Sequence, residues 1–293
     1  KHKMKQYFKY VFAVIVLLGI LVSCVKEYES IEVIDDRNVK EYIQKNSLSV
    51  QEYNGTGIYY QVVSPGLGAE VQYSELTPAI ITISSLDGKY VAVDTFSNGN
   101  RYYNYLGYFN PEAVRVGIKE VLKKANGTIR IIVPSRLAFG RNGTTQIPGN
   151  SSLDIVVKVM EKDKIPQYDD YTIKKYMEKS ALTGFTKTST GIYYKIGQEG
   201  TGSPITADST VVANYTGKLL NGTLFDRALP GSEATFSLTS VIKGWQQAIP
   251  FIKQGGSIRM IIPSALAYGM EGSSPSIPPF SCLDFEVNVT DVK

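Results

Sequence analysis

The chain has 293 residues, 43% of them hydrophobic and 20% charged, with a formal net charge of +4. That length holds two domains with ordinary cores, and the composition excludes disordered, collagen-like and multi-span membrane classes. The only histidine is His2 and the two cysteines are Cys24 and Cys282, which excludes Ser-His-Asp triads, Cys-His dyads, Cys/His zinc sites and a disulfide framework.

The excess charge is local. Lys1, Lys3, Lys5 and Lys9 lie in residues 1–23 with no acid, and the remainder balances 27 basic against 27 acidic residues. No basic surface for nucleic acid is therefore expected. From Tyr10 to Val22 runs an apolar stretch of signal-peptide length, short for a membrane-spanning helix. It ends in Leu21-Val22-Ser23-Cys24, which resembles a bacterial lipobox. That resemblance implies a signal peptide over 1–23, lipidation of Cys24, a tether over 24–34 and membrane attachment through the lipid. Lys26-Glu27, with Glu29 beyond, resembles the surface-export signal of Bacteroidetes lipoproteins. The expectation is an envelope lipoprotein of the outer membrane, facing the periplasm or the cell surface.

The rest of the chain repeats itself. Asp35-Asp36, Gly57-Ile58-Tyr59-Tyr60, Pro134-Ser135, Leu137-Ala138-Phe139-Gly140, Ile147-Pro148 and Leu153-Asp154 recur in order. Their counterparts are Asp169-Asp170, Gly191-Ile192-Tyr193-Tyr194, Pro263-Ser264, Leu266-Ala267-Tyr268-Gly269, Ile277-Pro278 and Leu283-Asp284. Two homologous domains follow, 35–162 and 163–293. Each opens with an amphipathic helix, striped by Val39, Tyr42 and Ile43 or by Ile173, Tyr176 and Met177, with Asp35 or Asp169 as N-cap. In the second domain Ser209–Tyr215, Gly256–Ile262 and Cys282–Val289 read as strands. One short helix is expected around Lys243–Ile249, stopped near Pro250. The pattern is α+β with antiparallel sheets.

The second domain contains Tyr215-Thr216-Gly217, Gly222-Thr223-Leu224-Phe225-Asp226, Val241-Ile242-Lys243-Gly244-Trp245, Ala267-Tyr268-Gly269, Ile277-Pro278-Pro279 and Leu283-Asp284-Phe285. In this order and spacing the blocks strongly resemble the FKBP family of peptidyl-prolyl cis/trans isomerases. The resemblance implies tandem FKBP-like domains, each an antiparallel β half-barrel wrapped around a short helix. It implies a cup lined by Tyr215, Phe225, Trp245 and Phe285, with Val241 and Ile242 at the entrance and Trp245 as floor. Tyr268 would hold the substrate carbonyl, Asp226 would accept a hydrogen bond from Tyr215, and Ile277 would close the loop side. No cofactor or metal is implied. Departures are Ala234, where many members carry a bulky aromatic before Phe236-Ser237-Leu238, and Arg227 after the aspartate. Met270 and Phe280 are read as possible peptide contacts, and Cys282 as a buried strand residue.

In the first domain the same positions read differently. Ile81 or Ile83 stands for the cup tyrosine, Val93-Asp94 for Phe225-Asp226, Ile118 for Trp245, Phe139 for Tyr268, Gly149 for Pro279 and Ile155 for Phe285. A packed fold without isomerase activity is expected. Arg101–Phe109 reads as an insertion-like aromatic run, either a strand and loop with half-exposed tyrosines or a binding surface for unfolded chains or glycans. The expected function is isomerisation of X-Pro bonds in exported polypeptides. The alternative is a non-catalytic peptide- or partner-binding lipoprotein with a chaperone-like role. A third class, a surface glycan binder, would need exposed aromatic platforms at Tyr102, Tyr103, Tyr105 and Tyr108.

Overall fold

The computed structural model describes residues 28–92 and 100–293. The signal-like segment, Cys24 and Val93-Asp94 lie outside the described residues.

The first unit runs α1 (Ile31–Lys45), β1 (Gln51–Glu52), β2 (Tyr59–Ser64), β3 (Leu76–Ser85), β4 (Val91–Ala92), β5 (Arg101–Tyr105), α2 (Glu112–Val116), β6 (Gly127–Val133) and β7 (Leu153–Val159). The second runs α3 (Ile165–Lys179), β8 (Thr186–Lys187), β9 (Tyr193–Gln198), β10 (Thr210–Leu219), β11 (Leu224–Ala228), β12 (Ala234–Ser237), α4 (Lys243–Ala248), β13 (Ser257–Ile262) and β14 (Leu283–Val292). Each unit forms one antiparallel sheet, β1-β2-β6-β7-β3-β4 with β5 on β3, and β8-β9-β13-β14-β10-β11 with β12 on β10. The two strand orders are the same. The fold is α+β and the expected half-barrel around a short helix stands in both copies.

Alternation along the strands separates two faces of each sheet. In β13, Ile258, Met260 and Ile262 join the core under α4, whereas Ile261 packs with Ile173, Tyr193 and Leu220 on the α3 side. The short helix thus fills the concave face and the long helix covers the other. The long helices are pinned by polar contacts at repeated positions. Tyr42 donates to Asp154 at 2.8 Å and Tyr176 donates to Asp284 at 2.7 Å. Arg130 and Arg259 pair with the same two aspartates.

The capping expectation is corrected. The N-cap of α1 is Ser30, whose hydroxyl accepts from Val33 N, and α3 begins at Ile165 with Pro166 in its first turn, where a missing N–H costs nothing. Asp35 and Asp169 lie inside the helices and are fully buried. Their carboxylates face the loop after the penultimate strand instead of the helix end.

The aromatic run takes the strand-and-loop form: Arg101–Tyr105 is an edge strand. Ala79 pairs with Tyr102 as Ala213 pairs with Ala234, so Tyr102 occupies the place of Ala234. Tyr102, Tyr105 and Tyr108 are exposed, and Tyr105 meets Tyr108 edge-on at 6.0 Å. No helix among the described residues is long and apolar enough to cross a membrane.

Candidate active site

The site forms in the second unit because β10 places Tyr215 and Gly217 on one face, two residues apart. Gly217 pairs with Phe285 across to β14 and with Asp226 across to β11. A Cβ at 217 would stand 2.7 Å from the Phe285 ring and 2.8 Å from the Phe225 ring. Only glycine lets both rings close over the strand, where they meet edge-on at 5.5 Å. The helix α4 comes equally close, since a Cβ at Gly244 would meet Ile262 at 2.5 Å.

That approach delivers Trp245, 3% exposed, into a nest of rings. Its centroid lies 5.3 Å from Tyr215, 5.4 Å from Phe236 and 5.3 Å from Phe285, each steeply inclined. Such edge-to-face contacts lock the rings against one another and contribute about 0.5–1.5 kcal/mol per pair beyond burial. The indole Nε1 has no hydrogen-bond partner among the described residues.

Above the tryptophan opens a cleft of about 300 Å³, lined by Tyr215, Phe225, Asp226, Phe236, Ser240, Val241, Ile242, Trp245, Tyr268 and Phe285. Of the residues assigned to the cup from the sequence, Ile277 alone is absent from its wall; it is buried in the core beside the cup. Phe236 and Ser240 are additions. Phe236 was legible as the aromatic of Phe236-Ser237-Leu238, but nothing local says that its ring turns toward Trp245.

Tyr215 donates to Asp226 Oδ2 at 2.6 Å, and Asp226 Oδ1 also accepts from the Arg227 amide at 2.9 Å. Burial first, then the carboxylate hydrogen bond, raises Tyr215 above its ordinary pKa. Tyr268 stands at the rim, 42% exposed, and burial together with the Asp226 charge raises it too. Both phenols therefore stay protonated through the neutral range. No cluster of His, Cys, Asp or Glu among the described residues is arranged to hold a metal. What the arrangement offers is an apolar, ring-walled slot with phenol donors at its edge.

Phe280 is fully buried and points away from the cleft, against Arg101 of the first unit. The reading of Phe280 as a peptide contact is corrected: its ring is part of the interface between the units. Met270 packs beside it, half-buried. Cys282 is buried and immediately precedes β14.

The first unit shows why its cup is lost. Ile83 pairs with Ile155 as Gly217 pairs with Phe285. The side chain of Ile83 takes the space that Gly217 leaves to two aromatic rings. Register assigns the cup tyrosine to Ile81 and sets Ala92, opposite Ile83, where Asp226 stands. Ile118 is fully buried and Phe139 packs against the core.

Residues 202–290 match the family model for FKBP-type peptidyl-prolyl cis-trans isomerases. A probable FKBP-type peptidyl-prolyl cis-trans isomerase of Haemophilus influenzae is 44% identical over 106 residues, 36% of this chain and 44% of the relative. The FKBP-type isomerase FkpA of Escherichia coli is 42% identical over 136 residues, 46% of this chain and 49% of the relative. The crystal structure of Escherichia coli FkpA aligns with a TM-score of 0.40 at 40% identity, covering 45% of this chain and 62% of that one. The chain spans about half the length of the curated relatives it matches. Residues 202–290, which carry the aromatic cup, are thus similar to FKBP-type peptidyl-prolyl cis-trans isomerases.

Proposed function

We propose that the second unit catalyses cis/trans isomerisation of X-Pro bonds in polypeptides. The carrying observation is the cleft itself: Tyr215, Phe225, Trp245 and Phe285 wall a slot of about 300 Å³, and Tyr268 stands at its edge. The barrier to amide rotation, about 18–20 kcal/mol, is the loss of C–N double-bond character. A dry cup disfavours the charge-separated planar amide, and a ring held in the slot leaves the preceding residue free to swing. A phenol donor at the rim holds the carbonyl through that swing. No nucleophile and no proton transfer is needed, consistent with a chain whose only histidine is His2.

Exchange spectroscopy of an X-Pro peptide with the full chain tests this. Acceleration that disappears in Trp245→Leu is expected; no acceleration by the unaltered chain overturns the reading. The binding alternative, a protein that holds peptides without isomerising them, corresponds to affinity without acceleration.

The order of basic residues, apolar run, small residue and Cys24 supports anchoring by a lipid, with exported polypeptides as clients at the outer membrane. Cys24→Ala should move the protein from the membrane to the soluble fraction. Retention of that variant in the membrane would overturn the anchor.

A further inference from the structure

One polar device occurs twice, and the second copy is completed by the first unit. In the first unit Asp35 accepts hydrogen bonds from Ser135 Oγ at 2.9 Å, Arg136 N at 3.0 Å and Ser152 Oγ at 3.1 Å. The Arg136 guanidinium stands 3.8 Å from it. In the second unit Asp169 accepts from Ser264 N at 2.9 Å, from Ser264 Oγ at 2.6 Å and from the Cys282 thiol, which stands where Ser152 does. The residue after Ser264 is Ala265, so the local cation is missing. The cation comes from β5 of the first unit: Arg101 Nη1 lies 3.5 Å from Asp169 Oδ1, and neither side chain is exposed.

Arg101 also grips the end of the loop that starts at Tyr268. Its guanidinium lies 5.1 Å from the ring centroids of both Tyr168 and Phe280, and Nη1 donates to the Phe280 carbonyl. Phe280 packs with Ile80, Met160 and Ile165. Its φ is +37°, a left-handed conformation that a bulky residue keeps only where its surroundings hold it. Phe280 N donates to Gly269 O at 3.0 Å, and Gly272 N donates to Tyr268 O at 3.2 Å. The fixed end at Phe280 is thus tied directly to the backbone that carries the rim tyrosine.

We propose that Arg101 is a positioning residue for the isomerase site, and that the first unit, its own cup filled, serves to clamp the loop 268–280 over the cup of the second. The proposal rests on the isomerase reading of that cup. A guanidinium suits the task because its delocalised cation packs on two aromatic rings while Nη1 serves a carbonyl and lies beside a carboxylate. Lysine would keep the charge and lose that packing.

The test uses the full chain. Arg101→Met combined with Asp169→Asn removes both charges and leaves no lone buried ion; Arg101→Lys keeps the charge. Amide hydrogen exchange is followed at Gly272, Ser273, Ile277 and Phe280 and in β13 and β14, with kcat and KM measured separately on an X-Pro peptide. In the double variant the loop amides should exchange about tenfold faster or more while the sheet amides hold. KM should rise more than kcat falls, and Arg101→Lys should restore part of both. If the double variant does not fold, Arg101→Lys against the unaltered chain gives the same comparison. Unchanged loop exchange, or equal acceleration of loop and sheet, overturns the clamp. Fast loop exchange in a chain whose unaltered form has no isomerase activity supports the clamp and overturns the isomerase reading instead.

Discussion

The hydroxyl of Tyr215 donates to the carboxylate of Asp226 at 2.6 Å, joining β10 to the edge strand β11 at the mouth of the cup. The bond holds the tyrosine ring edge-on to Trp245, 5.3 Å away. Tyr215→Phe retains the ring and removes the bond. It should cost about 1.5 kcal/mol of stability, the low end for a bond to a charged group. Combined with Asp226→Ala it should cost less than the two single changes added. Urea titration of the four proteins measures this; strict additivity would mean that the bond contributes nothing.

Gly217→Ala tests how closely the cup is packed. The new Cβ would stand 2.7 Å from Phe285 and 2.8 Å from Phe225, so at least one ring must turn. Overpacking of this kind costs about 1–3 kcal/mol. Because the displaced rings are the cup walls, kcat/KM should fall in a protein that is still folded at assay temperature. Activity equal to that of the unaltered chain would show that the walls play no part.

Trp245→Leu removes the floor. Loss of a buried indole and its ring contacts should cost about 2–4 kcal/mol, and isomerase activity should fall about tenfold or more. A folded variant, by circular dichroism, that keeps its rate would place the chemistry elsewhere.

The rate should be flat with pH. Burial and the Asp226 charge raise Tyr268, and burial with the Asp226 hydrogen bond raises Tyr215, so neither phenol ionises in the neutral range. The one histidine, His2, lies far from the cup in sequence. kcat/KM measured from about pH 6 to 9 should show no step; a bell would reveal an acid or base that the cup does not contain.

Acid stability has a named source. Burial alone would raise Asp170, but Lys174, Lys187 and Tyr193 surround it at 2.8, 2.5 and 2.7 Å and bring it down from 3.8 to about 2. A carboxylate lowered on folding stabilises the fold above its unfolded pKa and ceases to do so as pH falls through the folded one. The contribution, about 2 kcal/mol at most, should therefore disappear between about pH 4 and pH 2. Asp170→Asn should reduce stability at neutral pH and flatten this part of the curve. A urea midpoint with the same acid slope in both proteins would refute it.

The sequence blocks were strong for the second unit because its site is built from motif residues. Tyr215, Phe225, Asp226, Trp245, Tyr268 and Phe285 all reach one cleft. Strand alternation and glycine-bounded turns made the α+β architecture readable as well. Local reasoning failed where one residue type serves two purposes. An aspartate near the start of a helix is a good cap by propensity, yet Asp35 and Asp169 face inward because a loop distant in sequence supplies better donors. The strand in the aromatic run was legible, but only register sets Tyr102 in the place of Ala234.

By itself the sequence determined the repeat, the fold class, the aromatic lining of one cup and its loss in the other. Those are properties of residue type and short-range spacing. Only the tertiary structure decided that Ile83 fills the space Gly217 leaves open, that Phe280 faces the neighbouring unit instead of a peptide, and that Asp169 takes its cation from Arg101. Each of these depends on which surfaces meet once both sheets have formed. Partners so distant along the chain leave no periodic signal, because packing and buried charge choose them in space.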